Sequence, residues 1–178
     1  ITFGSPSHRQ FDVHLDNAHN KSTIDRGYVI PRLDFDGFLM DKAKDVTEVR
    51  EGFSVTDIIT SDTGSVCGVR GKTKQQSDIE IHAPIVFGCD GPNSIFTKKM
   101  NLYKEDQDNV AIAVRCYYRG VKGLTDQIEL HFVDEVLPGY FWMFPAGGDV
   151  ANIGIGLSKK AAKKDERKLT EILKDVIK

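Results

Sequence analysis

Residues 139–156 constrain the fold of this chain more than any other stretch. They read Gly-Tyr-Phe-Trp-Met-Phe-Pro-Ala-Gly-Gly-Asp-Val-Ala-Asn-Ile-Gly-Ile-Gly. Two apolar runs flank a Pro-Ala-Gly-Gly-Asp turn, which predicts a β-hairpin. Strand side chains alternate between faces. Tyr140, Trp142 and Phe144 therefore share one face of the first strand. On the second strand Asn152, Gly154 and Gly156 share one face, and Ala151, Ile153 and Ile155 the other. If the Asn/Gly row flanks the aromatic row, the rings lie beside positions that carry no side chain. Glycine inside a strand often marks close approach of a ligand or of another backbone. Rings beside empty space suit a slot for something long and apolar. A buried hairpin core with glycines at a tight bend is the competing reading of the same residues.

The chain has 178 residues, enough for one domain or two small ones. At 40% hydrophobic and 28% charged it has the composition of an ordinary folded protein. The net charge of −2 provides no basic field to recruit nucleic acid. No apolar run approaches the roughly 20 residues that span a bilayer, and the opening residues lack the basic-then-apolar pattern of a secretory signal. Cys67, Cys89 and Cys116 are widely spaced, with no Cys-x-x-Cys pair. A zinc site or disulfide framework is not expected; reduced, buried thiols in a cytosolic protein are. The chain opens on Ile1-Thr-Phe-Gly without a Met and stops inside a helical pattern, Leu169 to Lys178. It reads as a piece excised from a larger protein.

Short strands are predicted at Ile1–Phe3, Phe11–Leu15 and Tyr28–Ile30, with a polar loop from Asp16 to Asp25. Pro31 introduces a helix, with Asp34 as N-cap and Phe35, Phe38, Leu39 and Ala43 at helical spacing. Period-two segments at 53–60, 66–70 and 79–81, with a turn at Asp62-Thr-Gly64, predict a small antiparallel meander. Ile85-Val-Phe is a short apolar strand of the kind buried on both faces of a parallel sheet. Asn93 or Ser94 caps a helix running toward Met100. A second β-rich block comprises Val110–Tyr118, Gln127–Phe132 and the hairpin. In Gln127–Phe132, Ile128, Leu130 and Phe132 face one way and Gln127, Glu129 and His131 the other, the latter row being a cavity wall or a solvated face. From Ala161 an amphipathic helix is predicted, with Leu169, Ile172, Leu173, Val176 and Ile177 on one side and Lys159, Lys160, Lys163 and Lys164 at a solvated start.

Ile85-Val-Phe-Gly-Cys-Asp-Gly-Pro-Asn-Ser is a strand, a Gly-rich turn and a helix start. It delivers a carboxylate, Asp90, and a bare backbone, Gly91, to a sheet edge, where cofactor crevices lie. Asp-Gly is equally an ordinary turn signal. The Gly-x-Asp-Gly-x-x-Ser pattern resembles the second flavin-binding motif of the p-hydroxybenzoate-hydroxylase-like flavoproteins. Arg32-Leu-Asp-Phe35-Asp36-Gly-Phe-Leu39 resembles the Arg-x-x-Phe-Asp-x-x-Leu segment of the same group. Tyr140-x-Trp142-x-Phe144-Pro145-x-Gly147, followed by Asn152-Ile-Gly154-Ile-Gly156, is similar to the FAD-dependent geranylgeranyl reductase branch. The motifs stand in the family order and span most of the chain from Gly27 to Leu157.

This resemblance implies an α+β fragment of a two-domain flavoprotein. Residues 1–26 would be substrate-domain strands, 27–104 part of the FAD-binding domain with its small β-meander, and 105–178 the substrate-domain antiparallel sheet and terminal helix. It implies reduction of C=C bonds of an isoprenoid chain by reduced FAD, with NAD(P)H or ferredoxin as alternative electron donors. Tyr140, Trp142, Phe144, Pro145, Gly147, Asn152, Gly154 and Gly156 would bind substrate. Tyr140 is the candidate proton donor, ahead of Cys116, and the Trp142 indole offers a further hydrogen-bond donor. Arg32 would contact the ribityl or pyrophosphate portion of FAD, Asp90 and Gly91 the pyrophosphate, and Val55 the adenine through its backbone. Without the resemblance, Arg32 is equally a salt-bridge partner of Asp34 or Asp36. A polyprenyl-lipid substrate implies a cytoplasmic protein in peripheral contact with a membrane, and an electron-donor protein as a further partner. The family's first flavin motif, Gly-x-Gly-x-x-Gly, is absent; Gly154-Ile-Gly156-Leu-Ser-Lys lacks its third glycine. The piece alone is therefore expected to be inactive. A flavin-dependent halogenase or monooxygenase is the second reading, although halogenases carry Trp and Ile where this chain has Tyr140 and Phe144. A non-catalytic isoprenoid-binding module is the third.

Overall fold

A computed structural model describes residues 1–14, 27–102 and 109–178. The polar loop expected at 16–25, and Leu15 of the second strand, lie outside the described residues. In chain order come β1 (Thr2–Gly4), β2 (Gln10–Asp12), α1 (Arg32–Lys44), β3 (Ser54–Thr60), β4 (Val66–Lys72) and β5 (Ile79–His82). Then follow α2 (Ile95–Lys99), β6 (Ala111–Tyr118), β7 (Glu129–His131), a 3-10 turn (Asp134–Val136), β8 (Tyr140–Pro145) and β9 (Ala151–Ser158). Two helices close the chain, α3 (Lys159–Ala162) and α4 (Leu169–Ile177). The mixture of sheets and helices is the expected α+β class. Two compact units result, one of residues 1–38 with 106–178 and one of residues 39–105, the division falling inside α1.

The first unit is built on a six-stranded sheet of order β2-β1-β7-β8-β9-β6, antiparallel except for the β1–β7 pair. On one face of β9, Ala151, Ile153 and Ile155 are buried against Ile172 and Leu173 of α4 and Val136 of the 3-10 turn. The α4 sequence explains this: Leu169, Ile172, Leu173 and Val176 recur at helical spacing and form one apolar stripe. At its start the Lys168 N–H donates to the Glu171 carboxylate at 2.8 Å, satisfying a helix-end donor.

The tail is two helices rather than the single one predicted from Ala161. Asp165 accepts from the Arg167 N–H at 2.9 Å and from its guanidinium at 2.7 Å, a local arrangement that competes with continued helix. Arg167 also reaches Asp175 of α4 at 3.1 Å. The Arg167 guanidinium, with the Arg167 N–H, pulls the Asp165 carboxyl down to about 2. A carboxyl lowered on folding stabilises fully above its unfolded value of about 4. That contribution disappears as pH falls toward about 2. In hydrogen exchange of the α4 amides, protection should weaken across this acid window, and Arg167→Gln should reduce the dependence, leaving the part that Lys178 supplies through Asp175.

The second unit carries the predicted meander, order β3-β4-β5, all antiparallel. Arg70 and Glu80 are cross-strand partners and form an ion pair at 2.7 Å. Ser94, one of the two expected caps, is buried, and its hydroxyl accepts from the Thr97 N–H at 3.1 Å.

Several expectations are corrected. Residues 28–30 form no strand ladder; Tyr28 is exposed and Ile30 half exposed, ahead of Pro31. Ile85–Phe87 is no strand either: Phe87 is 83% exposed, and no described strand pairs with it. A strand of that type acquires its conformation from neighbours on both sides. Asp34 is not an N-cap. The Pro31 carbonyl already accepts from the Asp34 and Phe35 N–H groups, so the helix starts at Arg32. The ladder at 127–132 is confined to Glu129–His131. The thiols are not buried: Cys89 and Cys116 are exposed and Cys67 is half-buried.

Candidate functional site

The hairpin register aligns the two rows that alternation defined. Tyr140 lies opposite Gly156, Trp142 opposite Gly154 and Phe144 opposite Asn152. The alignment extends beyond the hairpin. Leu130 pairs with Trp142, Phe3 with Leu130, Phe11 with Phe3 and Arg115 with Gly154. Phe11, Phe3, Leu130, Trp142, Gly154 and Arg115 thus form one line across all six strands, on the face opposite the buried isoleucines of β9. Rings run along it and beside it: Phe3 stacks on Phe11 at 5.3 Å between centroids, and Tyr140, Trp142 and Phe144 follow at 6.1 and 6.2 Å. Phe132 meets the Tyr140 ring edge-on at 6.4 Å.

The indole of Trp142 donates from Nε1 to Oδ1 of Asn152 at 2.9 Å. That donor, expected to serve a ligand, is engaged within the protein. The ring crosses Gly154, where a Cβ would collide with Cζ2 of Trp142 and stand 2.5 Å from the Val114 carbonyl oxygen. The space left by Gly154 is therefore filled by the chain's own tryptophan. At Gly156 a Cβ would meet Cζ3 of Trp142 at 3.5 Å and Cβ of Ala113 at 3.9 Å, ordinary contacts. Gly139 is required for close approach, because a Cβ there would strike the Gly156 carbonyl oxygen. Beside these glycines lies an open trough of about 470 Å³, walled by Ala111, Ala113, Gly139, Tyr140, Trp142 and Gly156.

The remaining substrate residues sit apart from this face. Pro145 pairs with Ala151 and shares its side of the sheet, and Gly147 lies in the hairpin turn with φ +102°. Cys116 pairs with Ile153, on the side away from the rings. Its thiol is thus off the aromatic face. Tyr140 is 42% exposed and, among the described residues, is the tyrosine that lines the trough.

Of the cofactor residues, Arg32 belongs to the first unit, while Val55, Asp90 and Gly91 belong to the second. Arg32 makes the expected salt bridge, to Asp36 at 2.8 Å, and this hydrogen bond holds its guanidinium above the ordinary value. Val55 lies on β3 opposite Gly71, next to a bulge. Asp90 turns back onto α2: its carboxyl is held below the usual range by the Ser94 hydroxyl and then by the Ile95 N–H, which donates at 2.7 Å. Gly91 has φ +77° and open space where a Cβ would stand, so its backbone is open to close approach.

One pair escaped the sequence reading. Glu129 and His131 form neither a solvated row nor a trough wall. Nε2 of His131 lies 2.8 Å from Oε2 of Glu129, both half-buried, with the imidazole 5.8 Å from the Phe141 ring. Gly4 on the neighbouring strand makes room for that imidazole. The signal was there in Gly4, but it acts only once β1 is known to pair with β7.

Residues 106–178 match the family model of the geranylgeranyl reductase catalytic domain. Over 176 residues the chain is 33% identical to digeranylgeranylglycerophospholipid reductase 2 of Methanococcoides burtonii, covering 93% of this chain and 40% of that protein. Residues 106–178 thus belong to the geranylgeranyl reductase catalytic-domain family. Digeranylgeranylglycerophospholipid reductase 1 of Methanosphaera stadtmanae is a further relative, 30% identical over 160 residues, with 88% of this chain and 38% of that protein covered. The chain thus spans about two-fifths of the length of these reductases. Its fold is that of a geranylgeranyl bacteriochlorophyll reductase-like protein from Thermoplasma acidophilum, with TM-score 0.72 and 21% identity over 99% of this chain and 44% of the other. The FAD-dependent halogenase CndH, of myxobacterial origin, has the same fold, with TM-score 0.73 and 18% identity over 99% and 40% of the two chains. The chain thus shares one fold with both proteins, at 21% and 18% identity.

Proposed function

We propose that the full-length protein is a flavin-dependent oxidoreductase that saturates C=C bonds in the geranylgeranyl chains of a lipid. The observation that carries this reading is the register of the hairpin, which sets three rings against Asn152, Gly154 and Gly156 and leaves a trough lined in part by Tyr140, Trp142 and small side chains. Such a surface binds an extended hydrocarbon chain by area, at about 0.8 kcal/mol per buried CH2. Tyr140, Trp142 and Phe144 would orient the chain and exclude water from it, which is largely a matter of positioning. Tyr140 would hold a proton at its hydroxyl for the alkene carbon. Arg32, Asp90 and Gly91 would hold the FAD ribityl and pyrophosphate groups, and the Val55 backbone its adenine. Bound FAD supplies the reducing equivalents. A substrate of this kind resides in a bilayer, so the protein would meet it at the membrane surface. Among the described residues no helix is long and apolar enough to cross one.

The halogenase reading shares the fold, whereas the relatives named above are reductases, and by the resemblance Tyr140 and Phe144 stand where halogenases carry Trp and Ile. The deciding assay incubates the full-length protein with reduced flavin and a geranylgeranyl-glycerophospholipid and follows the lipid by mass spectrometry. Gain of a pair of hydrogens per double bond is expected, and Tyr140→Phe should slow it by about 10²-fold if the phenol supplies the proton. Halide-dependent product without saturation would overturn the reading. A colourless protein that takes up no FAD would favour an isoprenoid-binding module instead.

A further inference from the structure

We propose that Asn152 is a positioning residue whose amide locks the Trp142 indole lengthwise along β9, so that the ring is a fixed floor and Gly156, not Gly154, leaves the space an apolar chain enters. The identity of that chain rests on the isoprenoid reading above; the lock does not.

Three contacts define the ring's placement. Nε1 is tied to Asn152, Cζ2 and Cε2 lie over Gly154, and Cζ3 comes within ordinary contact of a Gly156 Cβ position. These three residues alternate along one face of β9, so their side-chain positions are about 7 Å apart. The indole spans them with its pyrrole edge at one end and its benzo edge at the other. Its terminal sp3–sp2 torsion is intrinsically broad, so the torsion alone leaves more than one ring orientation open. The Asn152 bond selects one. It is half-buried, so a ring that released it would have to find another partner for its N–H. Without the bond, the benzo edge is free to swing further over Gly156, which carries no Cβ, and toward the trough. Asn152 and Gly156 then act together: one holds the ring back and the other keeps the vacated position bare. On β6, Ala111 and Ala113 border the trough with short side chains, so a shift of the larger indole changes its opening most on that side. A thin, flexible chain fits such a slot, and a wandering indole closes it.

The test uses the full-length protein with Asn152→Leu, which removes the acceptor, and Asn152→Asp, which restores one. The Trp142 indole N–H resonance is assigned by its loss in Trp142→Phe. Its hydrogen exchange should accelerate at least about tenfold in Asn152→Leu and stay slow in Asn152→Asp, since exchange follows local opening. KM for a geranylgeranyl lipid should rise about fivefold in Asn152→Leu, the scale of one net hydrogen bond. kcat should stay within about twofold, and Asn152→Asp should bring KM back. In a Trp142→Phe background the Asn152→Leu change should add nothing, because the bond is already gone. Unchanged indole exchange, or additive effects on KM, would overturn the lock. If the wild-type protein reduces no isoprenoid, the proposed function fails separately. The same variants are then read by the Kd for geranylgeraniol: a matching pattern supports the lock, and absence of binding to the wild type overturns the trough as its purpose.

Discussion

Gly154→Ala is expected to lower the unfolding free energy by about 1–3 kcal/mol, the range for forcing one extra methyl into a packed site. Gly156→Ala, two residues on, should change it by no more than about 0.5 kcal/mol. The two glycines look alike in sequence and share a face, yet their surroundings differ. At Gly154 the added methyl meets the Trp142 ring on one side and a backbone carbonyl, that of Val114, on the other, and the carbonyl cannot step aside without disturbing the β6–β9 ladder. At Gly156 the same methyl finds ordinary contacts at 3.5 to 4.0 Å. Urea titrations of the two variants check the contrast. Binding should show the reverse of a simple stability ranking: Gly156→Ala, though stable, makes the trough shallower and should weaken affinity for a polyprenyl lipid by several-fold. Equal destabilisation by both substitutions would contradict the placement of the indole.

The larger loss of stability should come from the opposite face. Ile155→Ala is expected to cost about 2–5 kcal/mol, as for other fully buried aliphatic truncations. Ile155 has no exposed surface and lies in the cluster that joins β9 to Ile172 and Leu173 of α4 and Val136 of the 3-10 turn. The cavity would open in the middle of that cluster, where strand pairing on both sides of β9 prevents the backbone from collapsing into it. Ile177→Ala, on the same helix but 39% exposed, should cost less than about 1 kcal/mol. Thermal or urea unfolding of the pair separates the buried stripe of α4 from its exposed end.

What was legible before any coordinates follows a physical division. Strands with strict alternation, such as 140–145 and 151–156, were readable because the two-residue period alone assigns faces. The meander was readable because turn residues such as Gly64, with φ +80°, mark where chains reverse. Ser94 was readable as a cap because its hydroxyl acts within one helical turn. Failures came where a conformation depends on distant partners. Ile85–Phe87 has the composition of a buried strand, and composition does not supply the neighbours. The tail had one apolar stripe, but the Asp165–Arg167 contacts broke it into two helices.

For the site, local order in the chain determined that three rings share one face of a strand and that Asn152, Gly154 and Gly156 share one face of the next, because alternation is a property of each strand by itself. Only the tertiary structure decided that these rows face the same way, that Trp142 is bonded to Asn152, and that its ring fills one glycine's space and leaves the other's open. Those outcomes depend on cross-strand register and on where a large side chain comes to rest among atoms far away in sequence, and neither is encoded in the spacing of residues along a single strand.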